Sequence, residues 1–166
     1  MNAAHFHLVV NHLPIIVPIV GLLVMLGGII LKSEVIKRTA FAIFILGAIA
    51  TIPAFVSGEG AEEVVEKMQD VSHKLIHEHE EQAETFALLS YALGLVAILG
   101  LWSNWKKKSF ASIISYVIVA LSFVVLFFAK QTGTSGGEIR HPEIRTENSN
   151  NQLEKKVEKE KEVDDD

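Results

Sequence analysis

Four windows of this chain contain no Asp, Glu, Lys or Arg, and they limit what it can become more than any other feature. They cover 13–31, 39–56, 85–102 and 110–129, and the first extends back to the N-terminus if His5, His7 and His12 are neutral. A helix needs about 20 predominantly apolar residues to cross roughly 30 Å of hydrocarbon, and each window meets or approaches that length. A soluble bundle would instead place a charged face opposite each apolar stripe. Runs such as Ile43-Phe44-Ile45-Leu46 and Val124-Val125-Leu126-Phe127-Phe128 are apolar all round. The expected fold is all-α: an integral membrane four-helix bundle over residues 1–130, with spans at about 8–31, 39–56, 85–102 and 110–129. The first segment lacks the Lys/Arg start and small-residue cleavage site of a signal peptide, so it is read as retained.

Composition enters through segregation. The chain has 166 residues, 49% apolar and 21% charged, and its mean hydropathy is +0.33. A positive mean with that many charges requires them to be gathered between the spans. The loops at 32–38 and 103–109 hold Lys32, Lys37, Arg38, Lys106, Lys107 and Lys108 against Glu34 alone. The N-terminus and the middle loop, 57–84, hold only Lys67 and Lys74 against many acids. Short loops rich in Lys and Arg stay cytoplasmic, so both termini are expected outside the cytoplasm. Trp102 and Trp105 bracket the cytoplasmic end of the third span as interfacial aromatics do. A net charge of −5 argues against nucleic acid as a partner. The expected partners are the bilayer, a membrane protein or a second copy of the chain. Without cysteine there is no disulfide, thiolate metal site or thiol catalysis. No repeat of fixed period and no phosphate-loop motif occur.

All seven histidines fall on the extracytoplasmic side of this topology: His5, His7, His12, His73, His77, His79 and His141. Neutral imidazole suits haem iron, zinc and copper, whereas carboxylates suit harder ions. His73 and His77 stand one turn apart before the third span, but the spacing is not the His-Glu-x-x-His of a zinc protease. Ala83, Ala87, Ser90, Gly94 and Ala97 trace a close-packing stripe. Projected along that stripe, His79 faces the bundle, while His77 and His73 face water or the loop. No Asp, Glu, Lys, Arg or His lies in the middle of a span, where transporters place ion and proton relays.

The strongest ligand candidates are His12 and His79 for a cofactor such as haem. For a divalent metal (zinc, copper or iron) His141, Glu62 and Glu80 join them. No catalytic residue is assigned. Pro14, Pro18 and Pro53 mark helix starts or bends, and Gly58 follows the second span as a turn. Gly136 and Gly137 allow positive φ, which would let 131–146 fold back over the outer face of the bundle. The segment 147–166, rich in Asn, Lys, Glu and Asp, cannot bury a core and is expected to be a disordered tail.

Four pieces resemble a family: Asn11-His12-Leu13-Pro14-Ile15; Pro53 with Gly58-Glu59-x-Ala61-Glu62-Glu63; His79-Glu80-x-x-Ala83; and Gly136-Gly137-Glu138-Ile139-Arg140-His141-Pro142-Glu143-Ile144. Together they are similar to uncharacterised bacterial inner-membrane proteins of Bacteroidetes type, grouped as a domain of unknown function. The resemblance covers about residues 1–145. It implies a four-helix membrane fold and, more distantly, a haem or metal role. The leading functional expectation is binding of a metal or haem for electron transfer or metal handling. The alternative is a non-catalytic accessory subunit of a membrane complex.

Overall fold

The computed structural model describes residues 2–67 and 71–145. Five α-helices follow one another: α1 Ala3–Val10, α2 Leu13–Ile30, α3 Glu34–Val65, α4 His73–Trp105 and α5 Ala111–Arg140. A 3-10 turn, Pro142–Ile144, closes the described chain, and no strand occurs among these residues. The segments Ala3–Ile30, Glu34–Val65, His73–Trp105 and Ala111–Arg140 are each long and apolar enough to cross a membrane.

Local chemistry sets the helix ends. Asn2 caps α1 by accepting from the His5 N–H at 2.9 Å, and Ser33 caps α3 by accepting from Ile36. Pro14 has no N–H for the Val10 carbonyl, so the hydrogen-bond ladder is interrupted at Asn11 and His12. Both residues nevertheless keep right-handed helical angles, and α1 runs on into α2 as one rod with an offset. At the opposite end, α2 and α4 stop in the same way. Lys32 and Lys107 adopt left-handed φ values of 49° and 50°. Ser33 N–H then returns to the Gly28 carbonyl and Lys108 N–H to the Ser103 carbonyl, each at 2.9 Å. These are Schellman closures with lysine where glycine is usual.

The helices form a closed ring: α2 packs on α3, α3 on α4, α4 on α5, and α5 returns to α2, while α1 lies against α3. Met25, Phe41, Phe44, Leu93, Ala97, Ile118 and Val125 fill the centre. Ala87, Ser90, Gly94 and Ala97 are buried, so the expected small-residue stripe is the packing face of α4. A methyl group on Gly94 would strike Ala48, and one on Gly100 would strike the Phe41 ring. Several interior hydroxyls are satisfied within their own helices, as Thr51 donates to the Gly47 carbonyl and Ser122 to that of Ile118.

Outside this centre the bundle is apolar. Leu23, Ile30, Leu46, Val56, Leu88, Leu95, Ile113, Tyr116 and Phe127 are all more than half exposed. A water-soluble monomer rarely shows one such patch beyond a few hundred Å²; here the patches encircle the molecule. The fold is that of a multi-pass membrane protein.

Two expectations change. The middle segment is not a loop across 57–84: α3 continues to Val65 and α4 begins at His73. Its Ala, Glu and Val residues carry good or neutral helix propensity, and Gly58 and Gly60 are tolerated because α1 packs beside them. Nor do Gly136 and Gly137 start a fold-back. Among the described residues no glycine has positive φ, and α5 continues to Arg140. The return is confined to Pro142–Arg145, where Arg145 Nε donates to the Glu138 carbonyl at 2.9 Å and Ile144 lies against Gly137. The tail, 147–166, lies outside the described residues.

Helices α3 and α4 have 32 and 33 residues, which at 1.5 Å per residue is about 48–50 Å. The charge-free windows occupy their middles, and the polar ends project beyond a 30 Å hydrocarbon layer.

Candidate functional site

At the projecting end opposite the two lysine turns, two histidines are held in the same way. His7 Nδ1 on α1 lies 3.0 Å from Ser57 Oγ on α3, and Ser57 Oγ donates to the Ala54 carbonyl at 3.0 Å. His79 Nδ1 on α4 lies 3.1 Å from Ser135 Oγ on α5, and Ser135 Oγ donates to the Thr132 carbonyl at 3.1 Å. When the serine proton goes to the carbonyl three residues back, the serine oxygen accepts and the imidazole donates from Nδ1. That tautomer leaves Nε2 with its lone pair. A glycine follows each serine, and the ring rests over it: His7 Cε1 over Gly58, His79 Cε1 over Gly136. A methyl on Gly136 would come within 2.9 Å of the His79 ring.

The two clasps belong to two hairpins of one plan. Lys32 stands 25 residues after His7 and 25 before Ser57, while Lys107 stands 28 after His79 and 28 before Ser135. Each hairpin thus has a left-handed lysine at its turn and a His–Ser-Gly clasp at its tips. Because successive rods run in opposite directions, both clasps fall at one end.

At the same end, Glu62 on α3 is hydrogen-bonded to Glu80 on α4. Two carboxyls can share such a bond only if one keeps its proton. The bond to Glu80, then desolvation, then the charges of Glu80, Glu66 and Glu59, push Glu62 up to about 7. For His79, burial is the main influence and lowers its proton affinity, assisted by the nearby charge of His7; the Thr132 carbonyl and Glu80 oppose this with less effect.

The structure therefore brings His79, Glu80 and Glu62 to one end, with His79 facing the bundle as its phase predicted. His73 and His77 are exposed, as expected, and pair with Glu66, Glu80 and Glu81. It does not gather the rest. His12 is exposed at the α1–α2 junction and makes no capping bond. His141 is exposed at the end of α5, with Nδ1 2.9 Å from Glu143 Oε1. Glu143 is held below the usual carboxylate range by its own backbone N–H and by His141. Among the described residues no three His, Asp or Glu side chains form a group able to hold a metal ion. His7, Ser57 and Ser135 were not singled out from sequence. The signal that marks them is the Ser-Gly step just after the second and fourth charge-free spans, mirrored by a histidine before the first and third.

Comparisons with protein-family models, with characterised proteins and with solved structures found no match. The class of protein thus rests on fold alone: an all-helical multi-pass membrane protein, closed at one end by paired histidine clasps.

Proposed function

We propose that this protein holds a metal-centred cofactor at the membrane boundary between His7 and His79, and that haem is the occupant. The observation that carries this reading is the repeated clasp. Metal-bound imidazoles characteristically donate their second N–H to a neighbouring oxygen, and both rings have a serine oxygen within reach of Nδ1 for that bond. Two imidazoles suffice for the axial positions of haem. Structural zinc takes four protein ligands, which the described residues do not supply. The ligand pair is therefore His7 and His79, in place of His12 and His79, with Glu62 and Glu80 as neighbouring carboxyls.

The orientation proposed from the lysine-rich loops sets this end outside the cytoplasm of a bacterial inner membrane. The four motifs that resemble the inner-membrane family all lie in or beside it. Electron transfer is the activity such a site would serve.

The test is a visible spectrum and elemental analysis of detergent-purified protein, before and after adding haem. A Soret band is expected that is abolished by His7→Ala and by His79→Ala. Ser57→Ala and Ser135→Ala should weaken retention roughly 10–100-fold, the usual effect of removing a ligand's hydrogen-bond partner. A colourless, metal-free protein that ignores added haem would refute the site. The clasps would then be helix-end fasteners in a non-catalytic accessory subunit.

A further inference from the structure

A groove of about 360 Å³ opens between α4 and α5, lined in part by Gln82, Phe127, Lys130, Thr134 and Glu138. Its position is fixed by the exposed stripe of α5. Tyr116, Ala120, Phe123 and Phe127 face outward at helical spacing, and Lys130 and Thr134 continue the same stripe. Ala129 is the last residue of the charge-free window and Lys130 the first charge beyond it. The groove thus begins where hydrocarbon ends, open to the surrounding lipid.

Its polar groups are ordered along the membrane normal. The Lys130 ammonium comes first, and Glu138 stands eight residues further out, about 12 Å along the helix. Among the described residues neither group has an ion-pair partner. Across the groove Gln82 Oε1 is buried with no hydrogen-bond partner. Buried acceptors in folded proteins are normally satisfied, so the groove lacks a donor. A cation near the hydrocarbon, an acceptor in the wall and an anion further out complement a zwitterion with its phosphate inward and an N–H-bearing ammonium outward.

We propose that this groove binds the headgroup of an aminophospholipid of the phosphatidylethanolamine type. Lys130 takes the phosphodiester, the primary ammonium donates to Gln82 Oε1 and to Glu138, and Phe127 lies against the start of an acyl chain. Phosphatidylcholine has the same charges but no N–H to donate. Phosphatidylglycerol has hydroxyl donors but no cation for Glu138. No cofactor at the histidines is needed for this binding.

Delipidated protein in mild detergent, mixed with equal amounts of the three lipids carrying identical acyl chains, should be read by native mass spectrometry. One phosphatidylethanolamine adduct is expected, favoured about tenfold over phosphatidylcholine, as one charge-assisted hydrogen bond at a partly exposed site would give. Glu138→Gln and Gln82→Leu should each bring that preference close to unity. Lys130→Gln should weaken both zwitterionic lipids together, and Glu81→Gln, on an exposed face, should change nothing. Thermal melting of each variant separates lost folding from lost binding, and Glu138→Gln alters only a partly exposed position. Equal retention of the two zwitterionic lipids, preference for phosphatidylglycerol, or an undiminished preference in Glu138→Gln would each overturn the proposal.

Discussion

Glu62 shows how one side chain can tie the stability of a helix end to pH. Its ordinary carboxyl value is 4.5, and in the bundle it is pushed up to about 7. In the open state the group ionises above 4.5, while in the packed state it keeps its proton until near 7. Its favourable contribution is therefore complete below pH 4.5, declines between 4.5 and about 7, and is absent above. The outer ends of α3 and α4 should open more readily at pH 8 than at pH 5, read by amide hydrogen exchange in 57–65 and 73–84. Glu62→Gln should flatten this dependence and slow exchange at pH 8. A wild-type profile that is level across the range would contradict the shared proton.

For the elements, the two lysine turns give the sharpest test. A left-handed residue with a side chain costs roughly 1 kcal/mol relative to glycine, and Lys107 sits at φ 50° with Lys106 and Lys108 beside it. Lys107→Gly should raise the melting temperature in detergent, with a gain of about 0.5–1 kcal/mol after the entropy of a freer unfolded glycine is deducted. No change, or a fall, would mean that the lysine makes contacts that outweigh its strain.

Much of the element scale was legible in the residues. Charge-free windows locate the spans because a bilayer rejects ionised groups, and the stripe ending in Gly94 and Ala97 locates the face of α4 because only small residues let two backbones approach. The outer helix extensions were not legible. A Glu-rich stretch looks alike as a solvated loop and as a helix whose partner is another part of the chain, and the difference here is the packing of α1, α3, α4 and α5 around it. The His–Ser clasps were hidden for a similar reason, since their partners are 50 and 56 residues apart. The pairing follows from hairpin lengths that only the position of each turn defines. His12 misled because proximity to Pro14 in sequence says nothing about the direction its ring takes across a break in the helix.

Across the whole molecule, the two ends differ in kind. At the lysine end, Lys37 Nζ is 2.8 Å from Glu34 Oε1, the second Glu34 oxygen accepts from buried Asn104, and Lys108 lies 5.6 Å over the Trp102 ring. The other end is acidic and carries the imidazoles. If the lysine end is cytoplasmic, a cysteine replacing Ser109 will be unreachable by an impermeant thiol reagent in intact cells, while one replacing exposed Glu63 will be labelled. The chain has no native cysteine to confuse the result. Labelling at 109 with silence at 63 would invert the orientation.

The equal arms of each hairpin have a mechanical meaning. From Lys107 to either partner of its clasp is 28 residues, a lever of about 42 Å. Moving the tips apart by one ångström asks for a rotation of only about 1.4° at the turn, an angle that ordinary helix packing absorbs. The imidazole end can thus widen with almost no displacement at the far side. By the same leverage, the haem proposed there would be poorly sensed at the lysine face.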